Sequence, residues 1–130
     1  MKKLFYLLFL GLILFSCSNN DEPNDDEIEE KWILVRAEYL NEINELKTID
    51  YSNKNITFKF LTTGVLIIDG GDNIGYNPGE YDYHFFKEYF NGVQMITFVD
   101  INNDRYLHSF NNGIIKLDSD DGIDLFFENK

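Results

Sequence analysis

From Asn55 to its last residue the chain alternates short β-branched and aromatic runs with clusters of turn formers, a pattern that points to an antiparallel meander. Seven runs occupy 56–61, 65–69, 80–86, 93–100, 105–110, 114–118 and 123–128. The joints between them hold the residues that tight turns demand. Asn91-Gly92, Asn112-Gly113 and Asp121-Gly122 suit positive φ, while Thr62-Thr63-Gly64 and Asn102-Asn103-Asp104 suit slightly longer hairpins. Joints this short favour pairing of neighbouring strands in order. The connection over 69–79 is long and glycine-rich, and it reads as a flexible loop at one end of the sheet.

Alternate residues of a strand point to opposite faces. Ile56, Phe58 and Phe60 share a face opposite Thr57 and Lys59; Tyr81, Tyr83 and Phe85 oppose Glu80, Asp82 and His84; Ile123, Leu125 and Phe127 oppose Asp124, Phe126 and Glu128. A sheet with one apolar face closes as a barrel or folds over as a β-sandwich. Residues 31–40 supply an eighth run, with Trp32, Leu34 and Ala37 toward the inside. The expected class is therefore all-β, an up-and-down meander of about eight strands closed as a barrel, with a β-sandwich as the alternative. Tyr39, Ile43 and Leu46 follow a spacing of four and three, which predicts a short helix ahead of Asn55.

The start of the chain is of another kind. Residues 4–15 form an apolar stretch behind Lys2 and Lys3 that ends at Leu14-Phe15-Ser16-Cys17. A membrane-spanning helix needs about 20 residues, so this stretch reads as a secretory signal. Its end resembles the lipobox of bacterial lipoproteins. That resemblance implies cleavage before Cys17, thioether linkage of its sulfur to diacylglycerol, acylation of the new first residue, and attachment to a membrane through lipid. Cys17 is the one cysteine, so its lipidation leaves no thiol for a disulfide, a nucleophile or a metal site.

Charge divides the chain beyond the signal into two parts. Without residues 1–16, 9 basic and 23 acidic residues leave a net charge of −14, and seven of the acids fall within 18–30. The segment 17–30 has almost no apolar side chains and reads as an extended, self-repelling tether. The expected organisation is a signal over 1–16, a lipidated acidic tether over 17–30 and a β-barrel domain over 31–130. An acidic stretch behind a lipidated cysteine also resembles the export signal of surface lipoproteins of Bacteroidota. The cell envelope, and the surface of the outer membrane in particular, is the location this implies. A net negative domain argues against nucleic acid as a partner, because phosphate binding needs clustered Lys and Arg.

Trp32 in Lys31-Trp32-Ile33-Leu34-Val35, Asp50-Tyr51-Ser52-Asn53 leading into Ile56-Thr57-Phe58-Lys59-Phe60, Gly64-Val65-Leu66 and Gly79-Glu80-Tyr81-Asp82-Tyr83 together resemble the small lipocalin-like lipoproteins of Bacteroidota. The resemblance implies a lipocalin-like or calycin-like barrel with Trp32 closing its base. Glu30 stands where the lipocalin Gly-x-Trp motif has glycine, and the last run has no Arg to lie over the indole.

Few residues qualify for chemistry. Asp100-Ile101-Asn102-Asn103-Asp104 spaces its oxygens as calcium loops do, but Arg105 and Asn111 replace the glycine and glutamate such loops use; it reads as a polar hairpin. Asp118-Ser119-Asp120-Asp121-Gly122 reads as a turn. His84 and His108, the two histidines, read as residues of a polar face. Neither a nucleophile elbow nor a phosphate-binding glycine loop is present. No catalytic residue, metal ligand or cofactor is assigned. Tyr81, Tyr83 and Tyr106 are the candidates for a pocket that takes a small apolar or sugar-like ligand. The expected function is thus a non-enzymatic, lipid-anchored barrel of the envelope that binds a small ligand; the alternative is an interaction lipoprotein docking on an outer-membrane partner, with no ligand cavity.

Overall fold

A computed structural model describes residues 28–120 and 122–129. Cys17 and residues 17–27 of the expected tether lie outside them. The described chain is all-β, with strands β1 (Ile28–Leu40), β2 (Leu46–Asp50), β3 (Thr57–Leu61), β4 (Val65–Asp69), β5 (Gly79–Phe90), β6 (Gln94–Ile101), β7 (Asp104–Asn111), β8 (Ile114–Asp118) and β9 (Asp124–Asn129). Neighbours pair antiparallel in the order β2-β1-β3-β4-β5-β6-β7-β8-β9, and β1 also pairs with β9. That last pairing closes eight strands into a lipocalin-like barrel and excludes the sandwich.

Turn chemistry explains the order. Asn91 and Gly92, and again Asn112 and Gly113, both take positive φ, the conformation of a type I′ turn, whose twist matches that of paired strands. Asn102 and Gly64 supply the left-handed residue of two other joints.

Strand β1 works on two edges. Its first half pairs with β3 and its second half with β2 along one side, while residues from Trp32 to Glu38 pair with β9 along the other. A register shift between Leu34 and Arg36 moves the inward set from Trp32 and Leu34 to Ala37, all three fully buried. An extra residue in one strand does this by resetting the two-residue alternation.

The helix expected around Tyr39, Ile43 and Leu46 is absent; a hairpin between β1 and β2 stands there. The Asn41 side-chain oxygen accepts the N–H groups of Ile43 (3.0 Å) and Glu45 (2.9 Å), and Asn44 takes φ 59°. A local Asn turn thus competes successfully with a helix. Ile43 is 71% exposed and Leu46 63%, so their spacing marks no buried face. Strand β1 also begins at Ile28, ahead of Lys31, so Glu29 and Glu30 belong to the barrel.

The inward side chains fill the barrel from end to end. Phe58 stands between Tyr76 (6.2 Å between ring centres) and Phe127 (4.8 Å); Phe127 meets Trp32 at 5.3 Å, and Trp32 meets Phe60 at 4.3 Å. Leu34, Leu66, Ile68, Val99, Ile101, Leu117 and Leu125 fill the spaces between the rings. Such an interior is a packed core, one of the two outcomes open to an eight-stranded barrel.

Candidate functional site

The three tyrosines expected to line a pocket do not face one common space. Tyr81 and Tyr106 flank Tyr76 near the β4–β5 loop, at 5.1 and 6.5 Å between ring centres. Tyr83 sits toward the other end, edge-on to Phe60 (5.0 Å) and Phe85 (5.7 Å).

Their hydroxyls are committed within the chain. Tyr81 donates to the Asn77 carbonyl at 2.6 Å. Tyr83 donates to the Leu61 carbonyl and lies 3.3 Å from a Glu29 carboxylate oxygen. Burial pushes the Tyr83 phenol up to about 12, and the Glu29 charge adds to the effect. The Tyr106 and Tyr76 hydroxyls are 2.7 Å apart, and Tyr76 also reaches Asp104 Oδ2 at 3.0 Å. Burial raises both phenols of this pair above the ordinary range, so they act as hydrogen-bonding alcohols and not as acids.

Tyr76 is the residue that sequence reasoning missed. Asn73 Oδ1 accepts the N–H groups of Gly75 (3.0 Å) and Tyr76 (2.8 Å), which turns the chain inward and buries the Tyr76 ring over Phe58. The Ile74 N–H donates to the Tyr51 hydroxyl at 2.8 Å. The connection read as a flexible loop is therefore a tied plug across one mouth of the barrel. An Asn three residues ahead of a Tyr was the available signal, since Asn side chains habitually accept from the backbone just downstream.

At the other end Trp32 is fully buried among Phe60, Phe85, Phe127 and His108. Its indole N–H donates to Glu30 Oε2 at 2.7 Å. The residue that replaces the motif's glycine thus supplies the acceptor that a buried indole requires.

His108 belongs to this cluster and not to a polar outer face. Its ring centre lies 5.7 Å from that of Trp32 and 6.0 Å from that of Phe85. Burial lowers its pKa, with the Glu30 charge acting in the opposite direction. Between the lowered folded value and the unfolded value near 6.5, the unfolded chain binds more protons, so stability is full above about 6.5 and falls as pH drops toward the folded value. The urea midpoint should therefore decrease between about pH 7.5 and 5.5 in the wild type, and less so in His108→Gln. Asp124, whose carboxyl burial raises, contributes with the opposite sign at lower pH and cancels in the comparison. Equal slopes for the two proteins would mean that His108 does not drive the loss.

The calcium-like spacing is spent on internal contacts. Arg105 holds Asp100 through two bonds of 2.9 and 3.1 Å, Asn102 Oδ1 accepts the Asp82 N–H at 3.1 Å, and Asp104 is engaged by Tyr76. The Arg105 bond keeps the Asp100 carboxyl below its usual range. His84 is exposed and stacks on Phe86 at 5.9 Å. Among the described residues no group of three His, Cys, Asp or Glu is arranged to hold a metal.

Two cations cover an outward ring on the opposite wall. The Arg36 guanidinium lies 3.9 Å from the Phe126 ring centre and Lys116 Nζ 5.5 Å, lining a shallow groove of about 350 Å³ with Ser109, Asn111 and Asn112. Both are matched by acids, Arg36 by Glu38 at 3.3 Å and Lys116 by Asp118 at 3.3 Å and Asp124 at 3.7 Å. The groove therefore offers no spare positive charge to an anion. Comparison with protein-family models, with curated proteins and with solved structures gives no match.

Proposed function

We propose that the chain is a lipid-anchored barrel of the cell envelope, related to the small lipocalin-like lipoproteins of Bacteroidota, which acts without catalysis by presenting its outer wall and its ends at a membrane. The observation that carries this reading is the occupied interior. A ligand-carrying barrel keeps an apolar space with a few convergent polar groups, whereas here Trp32, Phe58, Phe60 and Phe127 fill the interior. The hydroxyls of Tyr76, Tyr81, Tyr83 and Tyr106 are bonded within the chain. This supports the interaction lipoprotein over the small-ligand carrier. Attachment through Cys17 is the second part of the proposal and rests on the apolar stretch ending at Leu14-Phe15-Ser16-Cys17.

One experiment addresses both parts. The full chain, produced in a Gram-negative host, should be recovered from membranes with a mass equal to residues 17–130 plus diacylglycerol and acyl groups. Gentle native mass analysis should find no further retained small molecule. Cys17→Ala should abolish the added lipid mass and move most of the protein out of the membrane fraction. Unchanged mass and fractionation in the variant would end the anchoring proposal, and a stoichiometric extra ligand would end the occupied-interior reading.

A further inference from the structure

The β5–β6 hairpin is longer than its neighbours require. Strand β4 pairs with β5 only as far as Asp82, and β7 pairs with β6 only from Thr97 onward, while β5 and β6 go on pairing with each other out to Phe90 and Gln94. The tip therefore runs on without a ladder partner on either side, although Gln94 and Met95 still line a shallow groove with Leu107, His108 and Ser109 of β7.

Its composition departs from the rest of the chain. Residues 89–99, Tyr-Phe-Asn-Gly-Val-Gln-Met-Ile-Thr-Phe-Val, include no charged side chain, in a protein that is 26% charged with a net charge of −12. Val93 is 90% exposed and Tyr89 69%, and Phe90 and Met95 are also exposed. Tyr89 pairs with Met95 and Phe90 with Gln94, so successive residues place apolar groups on both sides of the ribbon. An apolar ribbon tip exposed on both faces suits immersion in a surrounding apolar medium. Lys87 and Glu88 follow immediately behind the tip and set the depth at which immersion stops.

The topology says which end this is. In an up-and-down barrel the start of β1, the β3–β4 turn, the β5–β6 turn and the β7–β8 turn share one end. The chain thus enters the barrel at Ile28 on the same end as the hairpin tip. Ten residues, 18–27, lie between Cys17 and Ile28, and the steps that join the two span at most about 40 Å fully extended. A bilayer holding the acyl chains of Cys17 would face this end, where the neutral tip can approach lipid that an acidic surface would not favour.

We infer that the β5–β6 hairpin tip is a membrane contact: Tyr89, Phe90, Val93 and Met95 enter the headgroup and upper acyl region of the bilayer that bears the lipid anchor. The inference rests on the anchoring reading above. Tyr is suited to that depth, and because the turn at 91–93 leads the hairpin, insertion is shallow, so that headgroups and the water around them satisfy its unpaired backbone.

Lipidation consumes the native thiol, so a cysteine introduced elsewhere becomes the sole labelling site. The acylated protein carrying Val93→Cys, labelled with a polarity-sensitive nitrobenzoxadiazole dye, is reconstituted into phosphatidylcholine–phosphatidylethanolamine vesicles with and without doxyl-labelled lipid. Asp72→Cys in the loop at the opposite end is the comparison. The expected result is blue-shifted emission and at least about twofold quenching by doxyl lipid at position 93, with neither at position 72. Water-like emission at 93 in protein that floats with the vesicles overturns the contact. A blue shift without doxyl quenching means that protein, including a second copy of the chain, covers the tip, and this overturns it too. Failure to float with the vesicles overturns the anchoring reading itself and the contact with it.

Discussion

Trp32→Ala is expected to lower the stability of the barrel by about 4 kcal/mol, within the range for deleting a buried aromatic ring from a packed core. The indole is fully buried and touches four rings contributed by β3, β5, β7 and β9. Rings held on four different strands cannot collapse together into the vacated space, so the cavity persists. Trp32→Phe keeps most of the apolar contact and loses the bond to Glu30, and should cost about 1–2 kcal/mol. Urea unfolding followed by far-ultraviolet circular dichroism measures both, since Trp32 is the one tryptophan and its fluorescence is lost in the variants. A Trp32→Ala cost below about 1.5 kcal/mol would mean that the interior adapts like a loose barrel and is not packed as described.

Gly70→Ala should be nearly as damaging, at about 3 kcal/mol, because two penalties coincide there. Gly70 takes φ +100°, and a Cβ at that position would lie 2.1 Å from the Asn55 carbonyl oxygen and 2.9 Å from Ile56 Cα. Both obstacles are backbone, so no side chain can rotate away. The segment after β2 and the start of the β4–β5 loop would have to separate, and the Tyr51–Ile74 bond spans that junction. Gly71→Ala is the control. Its φ is +123° but nothing lies within 4 Å of the added Cβ, so only the conformational cost of about 1 kcal/mol is expected. Thermal unfolding of the two variants that showed equal losses would mean that the close approach at Asn55 does not hold the plug in place.

The barrel itself was legible because its signals are local. Alternation over a few residues selects a face, and Asn-Gly pairs select a turn, so the strands from β3 to β9 and their inward residues follow from neighbours in sequence. What escaped depends on partners far away. Strand β2 was hidden because Leu46 and Ile43 are apolar yet exposed at the rim, giving an accidental helical spacing. The shift between Leu34 and Arg36 leaves no mark in composition, although it explains why Trp32, Leu34 and Ala37 all point inward.

The candidate site was less legible for a related reason. Tyr81, Tyr83 and Tyr106 share inward parity, and parity cannot say how far apart they sit along the barrel axis or whether their hydroxyls are already engaged. Tyr76 lies outside the regular strands, so periodicity was silent on it, and the absence of the motif's glycine did not reveal that Glu30 bonds the indole.

Closure between β1 and β9 has a consequence for the order in which the molecule can form. Every other joint of the eight-stranded ring links strands adjacent in the chain, β1 and β3 being separated only by the β2 hairpin, whereas this one brings Trp32 to Asn129 and Glu38 to Asp124. A chain emerging from its amino end can zip the successive hairpins as they appear, at little loop-closure cost. Yet β1 keeps an open edge until the final six-residue strand arrives, and an open edge is a template for pairing with other chains. Until β9 is delivered, the protein is an unsealed sheet, and the interval before sealing is when it is most exposed to misassociation.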